Sequence, residues 1–296
     1  MAAPGGAPIA SWQTMDESSD TLDAEDAPAP DDRREEREES SRQRVAQAIA
    51  IVAVVLASVP ALPLAVRHHP ALIAPFMLVP LGLLVGAAYS GSSAALRLII
   101  GTDCILLAVL AFGIWIWPVP LALAPLVVWV TSMRFCALRP ALAWLRMGKL
   151  TRNVQYLMLG TVAVSAGALT AWAFVVHPSV GPLLGALQKR PLPVVVIGII
   201  GFALLNAACE EAGYRGFFFS ELRNIAGFRV ALVVQTVAFG LIHVSGFPSG
   251  PAGVVLAGVY GFMLGVIRQR SDGMAASYIT HVFADMTIGL LAVIVL

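Results

Sequence analysis

The chain has 296 residues, 58% of them hydrophobic and 12% charged, with a mean hydropathy of +0.81. Soluble domains average roughly 45–50% apolar and about 25% charged residues, so this composition excludes an ordinary soluble domain and predicts an all-α, polytopic transmembrane bundle. The net charge of +1 hides an uneven distribution: residues 1–44 hold twelve of the eighteen acids but only five of the nineteen basic residues.

Residues 1–44 are rich in Ala, Pro, Asp, Glu, Ser and Arg, without a periodic apolar pattern, and read as a disordered acidic cytoplasmic tail. They do not read as a signal peptide, because the acidic stretch precedes an apolar segment that runs on as a full span. The mixed-sign run DDRREEREESSRQR is a solvated juxtamembrane stretch whose arginines can touch anionic lipid.

From residue 45 onward apolar blocks recur at a length near the roughly 20 residues a span requires. They cover 45–66, 71–90, 98–117, 119–133, 156–176, 193–222, 230–247, 251–267 and 274–296, which makes eight or nine membrane segments; 119–133 is short and follows Pro118 and Pro120. Two regions result: N-terminal transmembrane helices over 45–176 and a C-terminal core over 190–296. Residues 134–155 carry five basic residues among Phe, Leu and Trp and are expected to form an interfacial helix. With nine crossings and a cytoplasmic amino terminus, Arg97, the cluster 134–155, Arg223, Arg229, Arg268 and Arg270 fall inside. Only Arg67, Lys189 and Arg190 fall outside, an asymmetry that places the carboxyl terminus outside. Cys104, Cys136 and Cys209 have no metal-ligand spacing and read as buried thiols.

Ionisable residues inside a span are costly and usually functional. Glu210, Glu211 and Arg215 lie on one segment, His243 on the next, and His281 with Asp285 on the last. Counted from the basic residues or the glycine at the segment ends, Glu210, His243, His281 and Asp285 reach depths of about 12–21 Å, as one intramembrane polar site requires. Residues four apart share a helix face. Glu211 is therefore expected to pair with Arg215, Phe239 to sit beneath His243, and His281 to point with Asp285, while Glu210 has no local cation. A carboxylate facing a histidine can act as a general base for water.

EEAGYR fits an EExxxR pattern, FGLIH fits FxxxH, and HVFAD fits HxxxN/D. In this order the three motifs resemble the CPBP intramembrane proteases, also called the Abi or type II CAAX prenyl endopeptidase family, similar to the Rce1-like proteases. The resemblance covers roughly residues 190–296. It implies that Glu210 is the catalytic glutamate and, with His243, activates water; that His281 and Asp285 stabilise the oxyanion; and that Glu211, Arg215 and Phe239 organise the site or contact substrate. The aspartate at 285 departs from the asparagine of better understood members. An ionised aspartate would repel an oxyanion, so Asp285 is expected either to be protonated or to orient His281.

No cofactor is expected. The alternative is zinc held by Glu210, His243 and His281, although no HExxH places two histidines on one helix. The expected partners are the bilayer and a membrane-embedded or lipid-anchored peptide or protein substrate, with no nucleic acid, and the expected location is a bacterial plasma membrane. Two rival functions are a proton-coupled transporter, since buried Glu, His and Asp also relay protons, and a non-catalytic immunity or scaffold protein. In those readings Glu211 and Arg215 are a structural ion pair, His243 is an interior histidine and Phe239 is packing. Phe217, Phe218 and Phe219 read as lipid-facing or core residues, with groove lining as the alternative.

Overall fold

A computed structural model describes residues 30–113, 116–139, 144–178 and 189–294. The chain divides into two compact units, Met1–Glu39 and Ser40–Leu296. Of the first unit, residues 30–39 are described and are helical; the expected disorder of residues 1–29 lies outside the described residues. Helix α1 therefore runs Pro30–Ala57, and the expectation of a disordered tail up to residue 44 is corrected over 30–44. The physical reason is local. Proline suits the first helical turn, Glu, Arg and Gln are good helix formers, and the alternating charges meet at i, i+4 spacing.

The chain bends by 68° between α1 and the short helix α2, Ala61–Arg67, so the expected straight segment over 45–66 is broken. Pro60 disfavours helical backbone at the residue before it. Helix α3 (Ile73–Ser90) ends at Gly91, whose φ of 67° suits glycine, and α4 (Ser93–Phe112) starts on Ser92, whose hydroxyl accepts from Ala95 N at 3.2 Å. Helix α5 spans Val119–Arg134 and α6 spans Arg152–Val176. Between them the expected interfacial helix is absent from the described residues. A 3₁₀ turn covers Cys136–Leu138, and residues 144–151 form a non-helical strap. The strap satisfies its backbone on another segment: Lys149 N donates to Ser271 O at 2.7 Å and Met274 N donates to Arg146 O at 2.7 Å. Those tertiary bonds replace the helical ones.

Among the described residues four further α-helices follow: α7 (Leu192–Glu211), α8 (Phe219–Leu241), α9 (Gly250–Ser271) and α10 (Met274–Ile294). Gly227, at φ 78° and ψ 173°, interrupts α8 and turns it back on itself. The ring of Phe239 consequently lies 5.2 Å from that of Tyr214, whereas a straight helix would separate the two residues by about 37 Å. Among the described residues six helical stretches are long and apolar enough to cross a membrane, or seven if α1 and α2 together make one span. The reversal at Gly227 makes 192–244 two limbs, and α5, at 16 residues, is shorter than the roughly 17–25 residues of a usual span. The protein is an integral membrane protein built as an all-α bundle.

The core joins both regions of the second unit. Ala46, Ala50, Ala53 and Ala57 give α1 a small-residue face, the surface that lets membrane helices approach closely. Against the same core pack Leu98, Ile99, Tyr214, Phe218, Leu222 and Phe239. The triple phenylalanine is core: Phe217, Phe218 and Phe219 are all buried. Of the three cysteines, Cys136 is exposed and Cys104 and Cys209 are half-buried, so the expectation of buried thiols is corrected.

Arg97, expected at an inner end, is buried and forms a two-pronged pair with Glu221, Nε to Oε1 at 2.8 Å and Nη2 to Oε2 at 2.7 Å. Removing one partner of a buried pair strands the other charge. Arg97→Ala should therefore lower the unfolding free energy in detergent by about 3–5 kcal/mol, and a loss below about 1 kcal/mol, the range of exposed pairs, would show that the pair is not a buried clamp.

Candidate active site

Helix α7 is apolar until its last turns, which carry Asn206, Glu210 and Glu211. The chain then widens into π-helical turns over Ala212–Phe218, a form found mostly at functional sites. Two glycines let neighbours close on these turns. A Cβ on Gly213 would lie 2.9 Å from Leu121 Cβ of α5, and one on Gly216 would lie 2.6 Å from the Trp144 ring of the strap.

The centre of the site is Glu211. Its Oε1 lies 3.0 Å from His281 Nδ1 on α10 and 3.1 Å from Arg215 Nη1 one turn along its own strand of helix. Arg215 is fully buried, its guanidinium stacks over Phe239 at 4.1 Å from the ring centroid, and its Nη2 reaches Gly261 O of α9 at 3.4 Å. His281 Nε2 faces two more carboxylates, Glu210 Oε2 at 3.5 Å and Asp285 Oδ1 at 3.8 Å. Glu210, Glu211, His281 and Asp285 are all buried. The structure therefore brings Glu210, Glu211, Arg215, His281 and Asp285 into one cluster.

His243 lies at the edge of this cluster, half-buried in a 3₁₀ turn over Ile242–Val244. Its Nδ1 is 2.9 Å from Phe239 O. A carbonyl only accepts, so Nδ1 carries the proton and Nε2 keeps its lone pair. Phe239 is a ring neighbour of both histidines, 5.2 Å from His243 and 5.8 Å from His281. Glu210, expected to turn toward both histidines, makes its ion-pair contact with His281.

Several partners escape sequence reading. Asn206 Nδ2 donates to Asp285 Oδ2 at 3.1 Å; its place one turn before Glu210 is the signal that the i, i+4 rule could have used. The Tyr260 ring lies 5.8 Å from that of His281, while its hydroxyl donates to Thr280 O at 2.9 Å. Buried Gln235 donates to Gly261 O at 3.1 Å, the carbonyl Arg215 also reaches. No sequence spacing announces the last two, because both come from other helices. Asp103, which no motif claims, has Oδ1 buried without a hydrogen-bond partner among the described residues.

Zinc is the alternative expected at Glu210, His243 and His281. Among the described residues no group of three or more His, Cys, Asp or Glu side chains is placed to hold a metal ion. Both nitrogens of His281 face carboxylates, and His243 Nδ1 is engaged by a backbone carbonyl.

Residues 192–287 match the family of type II CAAX prenyl endopeptidases described as Rce1-like. Nothing among the curated proteins or the solved structures matches the chain. The matched stretch begins with α7 and ends two residues after Asp285, so it contains every member of the buried cluster. Over residues 192–287, less than half of its length, the chain is thus similar to the Rce1-like type II CAAX prenyl endopeptidases.

Proposed function

We propose that the protein is an intramembrane endopeptidase that hydrolyses a peptide bond of a membrane-associated protein or peptide. The observation that carries this reading is the gathering of three carboxylates around His281 within 3.0–3.8 Å, deep in an apolar bundle. Such a group is costly to bury and serves a purpose. The family's printed name supports a substrate lipidated near a C-terminal C-a-a-X sequence. The excess of basic residues at Arg97, 134–155, Arg223, Arg229, Arg268 and Arg270 supports a cytoplasmic face on their side, with the amino terminus inside and the carboxyl terminus outside. A bacterial plasma membrane is the proposed location.

In this mechanism Glu210 takes a proton from a water molecule as the oxygen attacks the scissile carbonyl. The lone pair of His243 Nε2 holds the second water proton, and Glu210 then returns its proton to the leaving amine. His281 donates Nδ1–H to Glu211, which fixes the ring, and in its doubly protonated form presents Nε2–H to the developing oxyanion. Asp285 does not itself donate. It accepts from Asn206 on one oxygen and faces His281 Nε2 with the other, a second support for the ring orientation. No step runs through a metal ion.

Glu210→Gln removes the proton acceptor at nearly constant shape, so cleavage of a panel of membrane-anchored peptides should fall by at least about 100-fold; wild-type turnover by folded Glu210→Gln protein would sink the assignment. Asn206→Ala frees one Asp285 oxygen and also removes a hydrogen-bonding neighbour of Glu210. Its expected effect is a fall in kcat of about tenfold, as for one lost hydrogen bond to a charged group, with KM little changed. A change confined to KM would instead place Asn206 in substrate binding.

A further inference from the structure

Arg268, in the last turn of α9, takes no part in the mechanism, is only 6% exposed, and has a buried Nε without a hydrogen-bond partner among the described residues. A guanidinium stays charged and carries five donors, so burying one without an anion is expensive. The surroundings carry both signs, Arg146 and Arg223 against Asp272 and Glu211. Arg223 reaches the neighbouring residue, donating from Nη1 to Gln269 Oε1 at 3.0 Å. Arg146 is brought to the same end of α9 by the strap, and it already pairs with Asp272. Three arginines from three segments therefore meet here, with Asp272 engaged by one of them.

The cluster also lies within reach of the catalytic residues. Gly261, Leu264, Gly265 and Arg268 share the buried face of α9, and Gly261 O is the carbonyl that Arg215 meets. From Gly261 to Arg268 is about 10 Å along the helix. The charge of Glu211 is among those that act on the Arg268 guanidinium. An extended tripeptide spans about 10 Å. In a chain ending C-a-a-X, the free α-carboxylate belongs to the third residue after the cysteine.

We propose that Arg268, assisted by Arg223, binds the free C-terminal carboxylate of the substrate and so measures the distance from the scissile bond to the chain end. This rests on the endopeptidase reading above. A carboxylate takes two parallel N–H donors from a guanidinium, a match in geometry as well as charge.

The test uses two farnesylated C-a-a-X peptides, identical except that one ends in a free carboxylate and the other in a carboxamide. Wild-type protein in detergent should cleave the acid with kcat/KM at least about tenfold above the amide, as expected for one charge-assisted hydrogen bond, with the difference in KM. In Arg268→Gln the ratio should fall to about 1, and Arg268→Lys should keep part of it. The ratio is taken within each variant, so a smaller folded fraction cancels; Arg223→Gln supplies a second reduced ratio if Arg268→Gln does not fold. Equal cleavage of acid and amide by wild-type protein, or an unchanged ratio in Arg268→Gln, would overturn the carboxylate site and leave the protease reading standing. If wild-type protein cleaves neither peptide, the protease reading fails, and anisotropy of the same fluorescently labelled pair decides the site by whether the acid binds more tightly than the amide. Cleavage that depends on added phosphatidylglycerol, with acid and amide equal, would assign the arginines to lipid phosphate and overturn the proposal.

Discussion

Glu211 is a buried carboxylate shared by two donors from two helices, and the rest of the site depends on it. Buried at 1% exposure, its charge is costly unless it is paired and hydrogen-bonded. Arg215 and His281 meet it at 3.1 and 3.0 Å, which fixes α7 against α10. Arg215 in turn binds α9 through Gly261 O and α8 through the face of Phe239. One carboxylate thereby sets the relative placement of the four C-terminal helices, and His281 is aligned as a consequence.

The N-terminal helices bear on the same point from the other side. Tyr214, next to Arg215, donates its hydroxyl to Ser58 Oγ at 3.1 Å at the end of α1. Leu121 of α5 closes on Gly213, the Trp144 ring closes on Gly216, and the Phe217 ring packs against Gly101 of α4. The buried Arg97–Glu221 pair joins α4 to the amino-terminal limb of α8. These contacts make residues 45–144 a support for the π-helical turns, even though that region carries no motif. The widened turns retain the Glu211–Arg215 spacing while accepting a neighbour on each glycine.

Asp285 shows how context sets the role of a residue type. A carboxylate opposite an oxyanion is unfavourable, yet here both of its oxygens are directed at protein groups, Asn206 Nδ2 and His281 Nε2. Its position is thus suited to holding the histidine rather than to donating. Asn206 and Glu210 share a face of α7, so the same helical turn that carries Glu210 carries the support for Asp285.

Most of the membrane-embedded, helical character of the chain, and the members of the polar cluster, are legible in the sequence. Apolar run length reports the bilayer, and i, i+4 spacing reports shared faces, as for Glu211 with Arg215 and His281 with Asp285. The helicity of residues 30–44 was also readable from local charge pairing, but composition suggested disorder instead. Tertiary structure decided what spacing cannot encode: that Glu211 rather than Glu210 makes the closest contact with His281, that Arg97 pairs with Glu221, and that residues 144–151 form a strap instead of a helix. The physical reason is the same in each case. Local periodicity states which side chains lie together on one helix, whereas the partner of a buried charge, or of an unpaired backbone group, is whichever group another segment brings within about 3 Å.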